Sequence, residues 1–384
     1  MTASVVIVGS GLAGWNLARE FRKLDKETPL TVISRDGGGF YSKPMLSNAL
    51  SGGKTAAALV MKTAGKMAAE LNATVLSDTR VNAVDTAAKT LQLGDGRTLA
   101  WRDLVLALGA DPIRLPLQGD AADTVLSVND LDDYARFSGR LEGVRTVALL
   151  GGGLIGCEFA NDLLARGIEP VVLDLADRPL PRLLPEAASA FLRQRLEAAG
   201  VVFRFGVAAQ SVDRAASGRL QVSLSDGSTL EVDLVLSAVG LVPRTALAKA
   251  SGLAVKRGIV LDRLLASSAP NVYAMGDCAE IEGLSLPYVM PLMHQARALG
   301  ATLAGTPTQL VYPAMPVTVK TPACPTAVCP PPMGTVGEWQ VDADDAGCEA
   351  RFVGADGQLL GFAVMGSAIA RKQALATQVP ALLG

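Results

Sequence analysis

Two hexapeptides in the 384-residue chain have the residue types and spacing to handle phosphate groups: Gly9-Ser10-Gly11-Leu12-Ala13-Gly14 and Gly151-Gly152-Gly153-Leu154-Ile155-Gly156. In a strand-to-helix turn of this Gly-x-Gly-x-x-Gly form, the first glycine permits the tight turn and the second lets a pyrophosphate approach the backbone. The third lets helix and sheet pack closely. The helix N-terminus then offers free amide donors and the positive end of its dipole to the phosphates. Two such motifs imply two dinucleotides in one chain. The economical pair is a bound flavin and a diffusible nicotinamide, with hydride passing between them.

The remaining reactive side chains narrow the chemistry by what they exclude. His294 is the single histidine, so a His pair, a His–Cys couple or a His-rich metal site has no material, and a metal is not expected. The five cysteines (157, 278, 324, 329, 348) are an odd number without framework spacing, which points to a reducing, cytoplasmic compartment. The Cys324–Cys329 spacing lies in a proline-rich stretch over 313–332, read as an ordered connector, and these thiols are expected to be buried and inert. A net charge of −2 argues against nucleic-acid binding by bulk charge. No apolar run reaches the roughly 18 residues needed to span a bilayer, and no basic leader segment precedes the first strand.

Elements that position the glycine motifs follow from the patterning. Val5 to Val8 reads as a buried strand, a helix runs from Leu12 to about Leu24, and Leu30 to Ile33 forms the next strand. The device recurs as strand Thr146 to Leu150, a helix to about Arg166, and strand Pro170 to Leu173. Asp174 stands 18 residues past Gly156, where a carboxylate can hold both ribose hydroxyls and repel a 2′-phosphate, which favours NADH. Arg178, four residues on, could partly accept NADPH. Hydrophobic residues at 49% and aromatics at 4%, the surplus being Ala, Val and Leu, suit buried parallel strands under small-residue helices.

Further segments carry a family resemblance. Leu104 to Ala110, Leu234 to Gly240 followed by Leu241-Val242-Pro243-Arg244-Thr245, and Asn271-Val272-Tyr273-Ala274-Met275-Gly276-Asp277 are similar to the domain crossings and second flavin fingerprint of the two-dinucleotide-domain flavoprotein reductases, built like glutathione reductase. The resemblance implies an α/β fold of two Rossmann-like dinucleotide-binding domains plus a small α+β C-terminal domain. The FAD-binding domain would be discontinuous over 1–112 and 243–320, with an NAD(P)H-binding domain at 113–242 inserted and a small domain at 321–384. Disulfide-reducing branches carry a cysteine pair where this chain has Gly37 to Ser47, and a C-terminal histidine that is absent here. Tyr41-Ser42-Lys43-Pro44-Met45-Leu46-Ser47 instead resembles the signature of reductases serving ferredoxins and rubredoxins, most closely the rubredoxin-serving branch. By that likeness, electrons pass from NAD(P)H through FAD, one at a time, to rubredoxin, a small acidic iron protein supplying alkane hydroxylation or an oxygen or oxidative-stress chain.

The same resemblance implies the site. FAD would be held by Gly9, Gly11, Leu12, Ala13 and Gly14, by Lys43 and Pro44 near the isoalloxazine, and by Ala107, Gly109, Asp277, Val289 and Lys320. At its adenosine end Ser34 stands where a glutamate is usual, so Ser34, Arg35 or Lys43 would take over. NAD would be held by Gly151, Gly153, Leu154, Ile155, Gly156, Glu158, Asp174 and Gly240. Glu158 would meet the nicotinamide carboxamide or a flavin-side lysine. No acid, base or nucleophile is required of the protein. Residues 37–72 hold four lysines against Glu70, a cationic patch suited to steering an acidic partner. The short C-terminal domain suggests a monomer. A ferredoxin reductase and a non-catalytic FAD/NADH sensor stay open as alternatives; a flavin monooxygenase lacks its required histidine.

Overall fold

The computed structural model describes residues 4–384. Its first sheet is fully parallel, with strands in the order 272–274, 103–106, 5–8, 30–33 and 73–76. Val5, Val6 and Ile7 at its centre have no exposed surface, because helices and loops cover both faces of such a sheet. Helix Leu12–Leu24 buries Trp15, Leu17, Ala18 and Phe21 against it and turns Arg19 and Lys23 to solvent. Gly300 of helix Val289–Leu303 lets that helix approach closely: a Cβ there would lie 3.1 Å from the Glu20 side chain. A three-stranded antiparallel ribbon (81–85, 90–93, 98–100) hangs beside this sheet.

The second parallel sheet has the order 202–205, 169–174, 146–150, 234–237, with an antiparallel ribbon formed by 209–214, 220–224 and 229–232. The chain enters and leaves this unit side by side, since Ala110–Pro112 pairs antiparallel with Leu241–Pro243. Both glycine turns repeat one geometry. A Cβ on Gly14 would sit 1.8 Å from the Gly9 carbonyl oxygen, and one on Gly156 would sit 1.9 Å from that of Gly151. The third glycine of each motif is therefore required by contact between the helix and the preceding turn.

A five-stranded antiparallel sheet follows, in the order 317–319, 326–329, 359–366, 347–353, 338–343. Here one expectation needs correcting. Strand Val317–Val319, which the sequence reading left in the flavin domain, pairs with Thr326–Cys329 of the last sheet. The proline-rich stretch thus contributes strands and does more than connect. Helix Val289–Leu303 carries Pro291 in its first turn, where a missing N–H costs no intrahelical bond. One hydrophobic cluster runs through all three units, joining Leu46 and Leu50 to Phe159 and to Val319, Cys324 and Val328. Among the described residues no helix is long and apolar enough to cross a membrane.

Gly156→Ala should destabilise the protein by roughly 2–4 kcal/mol, because a new methyl cannot fit against backbone. Urea unfolding of wild type and variant checks this; equal midpoints would mean that the turn adjusts freely.

Candidate functional site

The helix that follows each glycine turn begins without a side-chain cap. Gly11 and Gly153 are the N-caps, and no side chain accepts from the first-turn amides of either helix. Those amides remain available to a ligand, with open space where a Cβ of Gly11 or Gly153 would stand. Donors plus space fit a pyrophosphate at both turns. Ala107, nearly buried, backs the first turn: its carbonyl oxygen lies 2.1 Å from where a Cβ of Gly9 would be. Gly109 and Gly240 both adopt positive φ, +72° and +115°, at the two crossings between the units.

Lys43 and Asp277 face one another, Nζ to Oδ2 3.7 Å. Lys43 opens a short 3₁₀ helix, Lys43–Asn48, whose first turn is stiffened by Pro44. Burial pulls the Lys43 ammonium below the ordinary lysine value, and the Asp277 charge opposes that shift. Asp277 stands in the turn after strand Val272–Ala274, and Val289 is the partly exposed first residue of helix Val289–Leu303.

Glu158 lies in helix Leu154–Leu164 and has no exposed surface. Its carboxylate accepts from Ser47 Oγ at 2.6 Å, from the Lys320 backbone N–H at 2.9 Å, and from the Lys320 ammonium. Lys320 and Glu158 are thereby brought together, the lysine arriving from the loop after Val317–Val319. Two neighbours on the same helix face continue the junction. Asp162 accepts from the N–H groups of Leu50 and Ser51, both at 2.9 Å, and Asn161 accepts from that of Ala323 at 3.0 Å.

The Ser34 hydroxyl, 1% exposed, is held between Ser10 Oγ (2.5 Å) and Asp36 Oδ1 (2.7 Å). Arg35 is the exposed member of the pair and lies 3.4 Å from Asp130. Asp174 Oδ2 accepts from Gly152 N–H at 2.5 Å and Oδ1 from Ala176 N–H at 2.8 Å, which orients its carboxylate beside the second glycine turn. Arg178 is paired with Asp177 at 2.9 Å. Ile155 is exposed at the start of its helix, beside the partly buried Leu154.

Sequence reasoning missed Ser47, Asn161 and Asp162 as site residues. The signal available was three polar residues at i, i+3 and i+4 (Glu158, Asn161, Asp162) in an otherwise apolar helix, a pattern that requires buried partners on one face. All five cysteines are free and buried. Burial pushes the Cys157 thiol up to about 12 and those of Cys278, Cys329 and Cys348 up to about 11, so thiolate chemistry is unavailable near neutral pH. Burial and Arg297 hold His294 below the ordinary imidazole value.

Comparison with known proteins agrees with this geometry. Residues 3–300 match the family model described as pyridine nucleotide-disulphide oxidoreductase, and residues 309–379 match one described as the rubredoxin binding C-terminal domain. The chain is 51% identical over 99% of both chains to the rubredoxin-NAD(+) reductase of Alcanivorax borkumensis. It is 42% identical to the rubredoxin-NAD(+) reductase of Acinetobacter baylyi, over 99% of this chain and 98% of that one. Among solved structures it resembles the ferredoxin reductase for the CYP199A2 system from Rhodopseudomonas palustris, with a TM-score of 0.88, 27% identity and coverage of 98% and 95%.

Two outcomes follow. Glu158→Gln leaves the Lys320 ammonium without its counter-charge and should cost about 2–3 kcal/mol in urea unfolding, the lysine's partial exposure moderating the loss; an unchanged midpoint would show that the junction carries no weight. The raised thiol pKa values favour the folded state in full below about pH 8, and that contribution is lost as pH rises through 11 to 12. Native protein treated with iodoacetamide at pH 8 should therefore gain no adducts by mass spectrometry and gain five once unfolded.

Proposed function

The chain belongs to the pyridine nucleotide-disulphide oxidoreductase family, and from that premise we propose that it carries electrons from NADH through FAD to rubredoxin, with no thiol relay. The observation that carries this reading is the pairing of two phosphate-ready glycine turns with five thiols that are all buried and held protonated. The disulphide chemistry in the family's name has no nucleophile here, so electrons must leave from the cofactor itself. Bound FAD supplies the conversion of a two-electron donor into a one-electron donor.

The protein's residues bind, orient and tune. Gly9 to Gly14 and the following helix N-terminus would take the FAD pyrophosphate, Asp277 the ribitol, and Ser34 or Arg35 the adenosine end, with Ala107, Gly109 and Val289 lining the pocket. Because the Ser34 hydroxyl already has two partners, Arg35 is the better-placed side chain. Lys43 would set a cation against the isoalloxazine and favour its electron-rich state; Lys320, fixed by Glu158, would add a second. Gly151 to Gly156 would take the NADH pyrophosphate, Gly240 the approach from the crossing, and Asp174 the ribose, disfavouring a 2′-phosphate. The units would divide as 1–112 with 243 to about 316 for FAD, 113–242 for NADH, and the rest for the acceptor, acting as a monomer.

Docking belongs on the acceptor unit in this reading, since residues 309–379 match the rubredoxin binding domain. The lysine patch over 37–72 loses part of its steering charge because Lys62 is paired with Glu70 at 2.5 Å. Five free thiols suit the cytoplasm. Rubredoxin reduced here would feed an alkane hydroxylase or an oxygen-directed chain.

The test is anaerobic stopped-flow mixing of FAD-loaded protein with NADH, then with oxidised rubredoxin or a [2Fe–2S] ferredoxin. Flavin bleaching with rubredoxin reduced about tenfold faster or more is expected. Preference for ferredoxin would move the protein to that branch, and an absence of bleaching would make it a sensor. Asp174→Ala should cut the preference for NADH over NADPH by about tenfold in kcat/KM; an unchanged ratio would remove Asp174 from the ribose site.

A further inference from the structure

The turn that presents Asp277 is held from behind by residues outside both glycine motifs. Gly276 adopts φ +79°, and a Cβ on it would lie 2.8 Å from the Ala13 side chain, so this turn is pressed onto the first motif. Its buried N–H donates to Gln295 Oε1 at 2.7 Å. Gln295 is 2% exposed and points inward from helix Val289–Leu303. Its amide nitrogen donates to the Tyr312 hydroxyl at 2.6 Å, and Tyr312 is 1% exposed. The Tyr312 backbone is in turn fastened to the segment 382–383: its N–H donates to the Leu383 carbonyl at 2.8 Å, and its carbonyl accepts from the Leu382 N–H at 2.8 Å.

The direction of this relay is set by chemistry. The Gly276 N–H can only donate, so the amide oxygen of Gln295 must face it, and the amide nitrogen is left to face the phenol oxygen. A buried amide in a helix is costly unless both its ends are satisfied, and here both are. An apolar side chain at 295 would fill the space while leaving the Gly276 N–H without an acceptor, free to rotate the turn.

We propose that Gln295, oriented by Tyr312 and the Leu382–Leu383 segment, is a positioning residue for FAD: it fixes the Gly276–Asp277 turn against Ala13 so that Asp277 meets the cofactor at one height. This rests on the reading of Asp277 as a flavin contact.

The experiment titrates FAD into apoprotein by flavin fluorescence and measures the reduction potential of the bound flavin and the melting temperature of the apoprotein. It compares wild type, Asp277→Ala, Gln295→Met, Gln295→Glu and Tyr312→Phe. Gln295→Met should weaken FAD binding about tenfold and shift the flavin potential, with apoprotein melting lowered by no more than a few degrees. Gln295→Glu should restore affinity to within about threefold, because in either protonation state it accepts from Gly276 and bonds Tyr312. Tyr312→Phe, which removes the acceptor that orients the amide, should weaken FAD about threefold. Wild-type affinity and potential in Gln295→Met, beside a weakened Asp277→Ala, would overturn the positioning role and leave the Asp277 reading standing. Wild-type affinity in Asp277→Ala would overturn that reading itself. Should Gln295→Met fail to fold, Tyr312→Phe and Gln295→Glu decide: no loss in the first, or no retention in the second, overturns the proposal.

Discussion

The buried carboxylate of Glu158 is the constraint around which the three units are arranged. An ionised group without exposed surface survives only with its charge and hydrogen-bonding capacity met, and Glu158 meets both from outside its own unit. Ser47 comes from the turn that carries Lys43, and Lys320 from the loop between the first two strands of the last sheet. Asp162 and Asn161 extend the junction along the same helix face. The amino end of that helix is the second glycine turn. One rigid rod thus carries that turn at its tip and the fastening to both neighbours on its flank, so the spacing between the two glycine turns is set by a helix and not by a flexible hinge.

Two lysine–carboxylate pairs result, and they differ in kind. Lys43 and Asp277 are both partly exposed and 3.7 Å apart, an adjustable pair that an entering ligand can part. Lys320 and Glu158 are joined at a site sealed from water on the carboxylate side, which fixes the lysine in place. The two pairs thus differ in how much water their carboxylates see.

What the sequence made legible was whatever is local in the chain. The two glycine motifs announce themselves by spacing and by the strand and helix that flank them, and Lys43 next to Pro44 and Asp277 after Gly276 stand out in the same way. The partners that finish the site are not legible. Ser47 meets Glu158, and Gln295 meets Gly276, across gaps that no periodicity spans; only the fold reports them. A boundary failed where proline misled: the prolines around Val317–Val319 hid a strand of the last sheet. Ser34, standing where a glutamate was expected, is engaged inward by Ser10 and Asp36, a substitution whose accommodation needs coordinates to see.

The order of the first sheet bears on how the chain matures. Strand Val272–Ala274 completes that sheet beside Asp103–Leu106, and Asp277 follows it directly. Everything between belongs largely to a unit with its own sheet, able to collapse on its own as it leaves the ribosome. The amino-terminal half-sheet must wait through that synthesis with an open edge at Asp103–Leu106, an exposed template for wrong pairing. Such distant pairing is intrinsically slow to find. Completion of the first sheet is consequently a late event in the life of the polypeptide, and the oldest segment of the chain is the last to be finished.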